Sequence, residues 1–306
     1  MAHDNCTSIT PACPVEYTIY GYTPSLGFNA FFLSYFLLFS LIHLALLVRY
    51  KTYFYSLAIT IGCLGEVTGY IGRVLMNHNP WSTIGFEIQI SCLIFSPSFI
   101  VAGVYITLQR MVQTFGTEKS RIPVRWYTGM FITFDFVSLL LQAIGGGIAA
   151  SAGDNEGLRD KGTDLMIAGI VWQVATLIFF AALVIDYFVR TRSSWEAVPA
   201  DAKAVAARRP FTLFCLGVTV AFVTIFGRCL YRIAEMVGGW ANPIMRDEAG
   251  FVVMEGFMIV IAVLCLTVFH PGYCFPQITE KSRAIEVGVE EVQGGMKKEV
   301  SGSESV

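Results

Sequence analysis

The sequence predicts an all-α protein, a seven-transmembrane-helix bundle with its N-terminus outside and its C-terminus in the cytosol. Of its 306 residues, 55% are hydrophobic and only 14% are charged, whereas soluble domains are nearer a quarter charged. The chain holds seven apolar runs, each near the length of about 20 residues that a helix needs to cross a bilayer. Backbone without hydrogen bonds is too costly in hydrocarbon, so these runs must be helices. They are residues 26–48, 53–75, 86–109, 126–149, 165–189, 211–233 and 250–269.

Lys and Arg residues are spread unevenly between the connections, and their distribution predicts the orientation. Fifteen of the 21 lie in the first, third and fifth connections and the C-terminal tail. Because cytosolic loops carry an excess of positive charge, these connections are predicted to be cytosolic. The predicted organisation is therefore an extracellular tail (residues 1–25), the seven-helix transmembrane domain (26–272) and a disordered cytosolic tail (273–306).

The predicted extracellular tail carries two candidate modifications. Asn5-Cys6-Thr7 fits the N-glycosylation pattern, which makes Asn5 a candidate acceptor, although such short patterns also arise by chance. Cys6 and Cys13 are the cysteines placed outside, where an oxidising compartment favours a disulfide between them. Two free or separately paired thiols are the alternative.

The second apolar run combines a packing face with two charges. Glu66 and Arg73 are seven residues apart and so share a helix face, with Glu66 near the membrane centre and Arg73 toward the outside. Small residues spaced by three and four let a neighbouring helix come close. Such a stripe is formed by Gly62, Gly65, Gly69 and Gly72.

The third and fourth runs each contain a polar irregularity. Pro97 removes one backbone hydrogen bond from the third helix and is expected to kink it. The carbonyl that it frees could face a ligand or be satisfied by a neighbour. In the fourth run, Asp135, Ser138 and Gln142 form a polar stripe. Three glycines at 145–147 follow; helix packing is favoured there over a phosphate-binding loop, because no strand precedes them and no Lys follows.

The sixth and seventh runs hold the most costly side chains. Arg228, Arg232 and Glu235 recur at i, i+4 and i+7 on one helix face, and Glu255 lies in the outer half of the seventh run. A charge at membrane depth costs about 2.5–3.5 kcal/mol on insertion scales, so such residues face the protein interior, a partner or water. The predicted ligand-binding set is Glu66, Arg73, Asp135, Gln142, Arg228, Arg232, Glu235 and Glu255.

Two interpretations of this polar interior stay open and can coexist. The first is an interhelical salt-bridge network that holds the helices together. The second is a hydrated cavity, open to the outer leaflet, that takes a polar head group while the apolar tail stays in lipid. Charges of both signs suit a zwitterionic or amphiphilic ligand better than a simple ion.

The sequence lacks the motifs that are typical of several other function classes. The net charge of −2 does not favour nucleic acid, and the chain has no P-loop. The four histidines form no HExxH or His-x-x-x-His pair and no GxSxG elbow is present, so the sequence predicts no metal site, no cofactor and no enzyme. His43 is favoured as a hydrogen-bonded interior residue over a haem ligand. The third run has no acidic residue before Arg110 and the seventh no NPxxY, which argues against a G-protein-coupled receptor but not against another receptor type.

A set of motifs distributed over residues 20–272 resembles the fungal lipid-translocating exporter family. The residues that carry the resemblance are Tyr22, Pro24, Ser25 and Asn29; Glu66, Gly69, Tyr70 and Arg73; Pro97, Ala102, Tyr105 and Arg110; Asp135, Gln142, Gly145, Gly146 and Gly147; Arg228, Tyr231, Arg232 and Glu235; and His270, Pro271 and Gly272. The chain departs from the family at Asp247-Glu248-Ala249, where His-Glu-Trp is common, and at Glu255, where Asp is common.

The resemblance implies a multi-pass protein of the plasma membrane or an endomembrane that handles lipid, in a family associated with sphingoid long-chain base release and aminocholesterol resistance. We expect binding and translocation or export of an amphiphilic lipid, a sphingoid base, a sterol-like lipid or a phospholipid, with the plasma membrane as the expected location. The alternatives are a lipid-responsive sensor and, because one branch of the family is linked to porphyrins, a porphyrin or haem carrier. Membrane lipids are the expected partners, and no oligomeric state is predicted.

Overall fold

Helices account for 83% of the chain that the computed structural model describes, namely residues 6, 9–11, 13–153, 155–240 and 242–274. The candidate acceptor Asn5 and the tail from residue 275 onward lie outside the described residues. Near the N-terminus, Cys6 and Cys13 form a disulfide whose Cα atoms are 5.9 Å apart.

Seven of the helices within the described residues are long and apolar enough to cross a membrane, which confirms the predicted seven-helix bundle. They are α1 (Leu26–Tyr50), α2 (Tyr53–His78), α3 (Thr83–Phe115), α4 (Val124–Ser151), α5 (Glu156–Ser193), α7 (Arg209–Val237) and α8 (Glu248–Val268). Two short helices, α6 (Ala200–Ala206) and α9 (Pro271–Cys274), lie between and after them.

Some helices extend beyond the predicted apolar runs because their caps lie in polar sequence. The Ser82 hydroxyl accepts a hydrogen bond from the Gly85 amide (3.1 Å) at the start of α3. The Asn155 side chain accepts one from the Leu158 amide (3.1 Å) at the start of α5. Side-chain oxygens at these positions satisfy amides that have no partner within the helix. The polar residues before the apolar run of α5 therefore form part of the helix.

Two helix pairs approach each other closely through glycine. A Cβ atom on Gly72 of α2 would lie 2.5 Å from the carbonyl oxygen of Gly85 in α3. A Cβ atom on Gly145 of α4 would lie 2.6 Å from the carbonyl oxygen of Gly162 in α5. No side chain fits at either contact. The glycine stripe of α2 is thus a packing surface, and residues 145–147 continue α4 as regular helix rather than forming a loop.

The N-terminal segment marks one end of the bundle. Residues 13–25 pack there: Ser25 bonds to Glu248, and the Tyr22 hydroxyl bonds to Arg73 near the end of α2. We call this the capped end; it also holds residues 238–240 and 242–247 of the connection before α8. The far end holds α6, α9 and the connection before α4.

The last spanning helix changes its winding part-way along. In α8, residues Phe251–Phe257 form a π-helix, and Met258–Val268 continue as α-helix. π-Helical segments are rare and are often found at functional sites. This segment contains Glu255, one of the predicted site residues.

Candidate functional site

Seven charged side chains from three helices come together in the half of the bundle nearer the capped end. All but Glu248 are at most 3% exposed, so they are closed to solvent in the conformation described. The open cavity considered from the sequence is therefore not open here. We call this group the charged cluster, and its members are Glu66, Arg73, Arg228, Arg232, Glu235, Glu248 and Glu255.

Arg228 joins three helices. Its Nη2 donates to the Glu255 carboxylate on α8 and to the Leu93 carbonyl oxygen on α3. That carbonyl lies one turn before Pro97, which has no backbone N–H to donate to it. The carbonyl freed by the proline is thus satisfied by an arginine from another helix, and the π-helix carries the carboxylate that completes the site.

Arg232 is paired within its own helix. Its Nη1 donates to the Glu235 carboxylate, three residues further along α7. The Nε and Nη2 atoms of Arg232 are buried and have no hydrogen-bond partner among the described residues. Arg232 therefore keeps donors available to a further group.

Arg73 lies in a cage of polar and aromatic groups beneath the N-terminal segment. Its Nε donates to the Asn29 side chain (3.0 Å) and its Nη2 to the Tyr22 hydroxyl (3.1 Å). The guanidinium carbon is 3.8 Å from the centre of the Phe251 ring. Its carboxylate neighbour is Glu248, at 3.8 Å. Burial raises the pKa of the Tyr22 hydroxyl, against the opposing charge of Arg73, so Tyr22 stays neutral.

Glu66 is the carboxylate of the cluster without an ion pair. Each arginine has a carboxylate within 4 Å on another residue, namely Glu255, Glu235 or Glu248. The Oε1 atom of Glu66 is buried and has no hydrogen-bond partner among the described residues, and the same is true of the Tyr70 hydroxyl, one turn along the same face of α2. An acceptor and a hydroxyl on one face of α2 are therefore both without a partner in the interior.

Comparison with known proteins identifies the family. A family model described as "RTA1 like protein" matches residues 59–278. The chain belongs to the RTA1-like family. The resemblance inferred from the motifs is confirmed.

Named relatives of this RTA1-like protein come from Saccharomyces cerevisiae. It is 31% identical over 282 residues, 83% of this chain and 74% of the relative, to the sphingoid long-chain base transporter RSB1. It is 27% identical over 221 residues (72% and 68%) to protein RTM1. It is 26% identical over 211 residues (68% and 65%) to protoporphyrin uptake protein 1. No solved structure matches the chain.

The other two predicted site residues lie on α4 and have different surroundings. Gln142 donates to the Ser138 hydroxyl (2.7 Å) and faces Gln173 of α5 (3.5 Å), so it belongs to a polar chain between these helices. Asp135 is 4% exposed, and neither its carboxylate oxygens nor the Tyr105 hydroxyl of α3 has a hydrogen-bond partner among the described residues. Neither Asp135 nor Gln142 takes part in the ion pairs of the charged cluster.

Two histidines of the RTA1-like protein are held near the far end. His43 bonds through Nε2 to the Thr267 hydroxyl (2.8 Å). His270 accepts a hydrogen bond at Nδ1 from the Gly272 amide (3.1 Å). Burial, with smaller effects from His43 and Arg110, lowers the pKa of His270 to about 3, so the ring is neutral at physiological pH. Both rings serve helix packing in this arrangement.

An apolar groove runs along α5 and α7 toward the far end. Its deeper part has a volume of about 470 Å³ and is lined by residues that include Leu108, Phe180, Phe188, Val218 and Phe222. A second part of about 670 Å³ continues past Arg192 and Trp195. The groove is lined mainly by apolar side chains and offers few polar groups.

Several residues of the charged cluster's surroundings were not singled out as site residues from the sequence. Tyr70 and Asn29 entered only through the family resemblance. The sequence did predict a free carbonyl in the third helix, because a proline frees the carbonyl four residues before it, here that of Leu93. It did not predict that Arg228 satisfies this carbonyl. The π-helix has no such signal in the sequence.

Proposed function

We propose that this RTA1-like protein binds a long-chain lipid amine of the sphingoid base type and moves it between leaflets or out of the cell. The observation that carries the proposal is that Glu66 is a buried carboxylate without an ion pair, one helical turn from Tyr70, whose hydroxyl also has no partner among the described residues. A sphingoid base presents an ammonium and two hydroxyls at one end of an alkyl chain. The ammonium would bind Glu66, and a hydroxyl would bind Tyr70.

The remaining charges of the cluster suit such a head group. Arg228 is held by Glu255 and by the Leu93 carbonyl, which limits its repulsion of a cation at Glu66. The free donors of Arg232 can bind a lipid hydroxyl. A simple cation would bind only to the Glu66 carboxylate. An amino alcohol would bind to that carboxylate through its ammonium and to the free donors of Arg232 through a hydroxyl.

An aromatic path offers a route for the alkyl chain. The Tyr70 ring lies 5.0 Å from the Phe32 ring, and Phe32 lies 5.3 Å from Phe257 of α8 (centroid distances). Phe31 beside them is 48% exposed, and α1 contacts α8 much less extensively than it contacts α2. In this proposal the tail leaves the bundle between α1 and α8 while the head group stays inside.

The relatives support transport of a lipid over the other candidate functions. The relative most similar among those named above is called a sphingoid long-chain base transporter. One further relative is named for protoporphyrin uptake, but His43 and His270 are buried in the bundle and at most 1% exposed, so neither ring is open to a porphyrin in the conformation described. In this proposal the protein moves the lipid without changing it chemically. Its proposed location is the plasma membrane, with the capped end outside.

Translocation in liposomes tests this function. Purified protein is reconstituted alone, and leaflet exchange is measured for a fluorescent sphingoid base and a fluorescent phospholipid. We expect faster exchange of the base than in empty liposomes. Glu66→Gln should slow it by about tenfold or more, because a hydrogen bond to a charged group contributes about 1.5–3 kcal/mol. Arg228→Ala should abolish it.

Glu87→Gln is the matched control, since Glu87 is an exposed glutamate on α3; its exchange should equal that of the wild type. Exchange by the wild type no faster than in empty liposomes, with the base still bound, would make the protein a lipid sensor. Full exchange in folded Glu66→Gln would remove Glu66 from the site. A Soret band on the purified protein would favour the porphyrin carrier.

A further inference from the structure

We propose that Glu66 exchanges a proton for the ammonium group of the lipid, so that outward movement of the lipid amine is coupled to inward movement of a proton. This inference rests on the proposed function and adds an energy source to it. It is carried by the arrangement of charges around Glu66.

The charges of the cluster balance only in two states of Glu66. Three arginines face three paired carboxylates, those of Glu235, Glu248 and Glu255. Without a ligand, the charges of the cluster, with the partly exposed Glu248 counted, sum to zero when Glu66 carries a proton. With an ammonium bound, they sum to zero when Glu66 is ionised. A buried charge without a partner is strongly disfavoured, so proton and ammonium exclude each other at this side chain.

The other groups that face Glu66 from the surrounding helices do not replace the proton or the ammonium as its partner. On α2 these are the Cys63 thiol and the Tyr70 hydroxyl, and on α3 the Cys92 thiol. From α7 and α8 the charges of Arg228 and Glu255 act on Glu66 with opposite sign, and these two are paired with each other. Their effects on Glu66 therefore oppose one another, and neither forms an ion pair with Glu66. The proton or the bound ammonium is then the cation that Glu66 binds.

The exchange step needs no other reactant. The O–H bond of the Glu66 carboxylic acid breaks, its proton passes to water, and the carboxylate accepts a hydrogen bond from the incoming ammonium. Release of the lipid on the other side of the membrane reverses the step, because the carboxylate takes up a proton from water there. One positive charge enters for each one that leaves, so a pH gradient can drive the lipid without an ATP-binding site.

Proton release on binding tests the exchange. Purified protein in detergent, in weak buffer with a pH indicator, is titrated with a sphingoid base at a pH where its amine is protonated. We expect about one proton to be released per base bound. The apparent Kd should fall about tenfold for each unit by which the pH is raised, as long as Glu66 is mainly protonated in the free protein. An N-acylated, uncharged analogue should bind without releasing a proton.

Variants separate the possible outcomes. Glu87→Gln should release protons as the wild type does, while Glu66→Gln should bind the base weakly and release none. Binding of the base to wild type without proton release would overturn the exchange and leave the proposed function standing. Undiminished proton release in Glu66→Gln would overturn it as well. No binding of the base to the wild type would overturn the proposed function and the exchange together.

Discussion

At the scale of single residues, Glu66 and Glu255 have the same chemistry but different roles. Both are about 1% exposed. Glu255 holds Arg228 in an ion pair, while Glu66 has no ion pair among the described residues. Removing one partner of a buried pair leaves an uncompensated charge, which typically costs about 3–5 kcal/mol. Removing an unpaired carboxylate leaves no such charge.

We therefore predict that two conservative substitutions change stability by very different amounts. Glu255→Gln should lower the free energy of unfolding by about 3–5 kcal/mol. Glu66→Gln should change it by less than about 1 kcal/mol, because the amide resembles the protonated acid. Thermal unfolding of the two purified variants in the same detergent measures the difference. If both variants lose the same stability, Glu66 is part of the structural network.

Residue identities in the charged cluster were largely predictable, but their pairing was not. Arg232 and Glu235 lie three apart on one helix, so their contact follows from helix spacing. Arg228 and Glu255 lie on different helices, so their contact depends on how α7 packs against α8, where Glu255 is a buried residue of the π-helical segment. Gln142 shares a helix with Asp135 yet bonds toward α5, which depends on how α4 packs.

At the scale of elements, two irregular helices face each other across the cluster. α3 lacks one backbone hydrogen bond at Pro97, and α8 contains a π-helical segment at 251–257. Arg228 bridges them by donating to both Leu93 and Glu255. Both irregularities serve the same arginine, so we infer that they position it.

Replacing Pro97 should separate stability from function. Pro97→Ala restores a backbone donor to the Leu93 carbonyl, and a proline in a helix interior costs about 3 kcal/mol. We expect a variant at least as stable as the wild type whose leaflet exchange of the sphingoid base is slower, because Arg228 no longer has that carbonyl to itself. Unfolding and liposome exchange are measured on the same preparation. Wild-type exchange in a more stable variant would show that the irregularity in α3 has no functional role.

The sequence predicted which segments form spanning helices, but it predicted the lengths of those helices less well. Each predicted apolar run corresponds to one spanning helix, since length and hydropathy decide which segments can span. α5 runs from Glu156 to Ser193, well beyond the apolar run 165–189, because its cap at Asn155 lies in polar sequence. The winding of α8 depends on packing against its neighbours, for which a single sequence carries no signal.

At the scale of the whole molecule, the charged cluster lies where α2 and α3 meet α7 and α8. α2 packs closely on α3 through glycines, and α7 packs along α8. Contact of α3 with α7 is less extensive and is bridged by Arg228. Because the cluster is closed in the conformation described, we expect the proposed lipid to enter only when these two helix pairs separate and α1 parts from α8 at the surface.

The central claim is that the lipid amine binds at Glu66, and an experimental structure of the complex tests it most directly. The protein in a lipid nanodisc, saturated with a sphingoid base, should show the ammonium within hydrogen-bond distance of Glu66, a hydroxyl beside Tyr70 and the alkyl chain between α1 and α8. The ion pair of Arg228 with Glu255 should persist. A base bound instead in the apolar groove along α5 and α7, with the charged cluster closed and unchanged, would contradict the account.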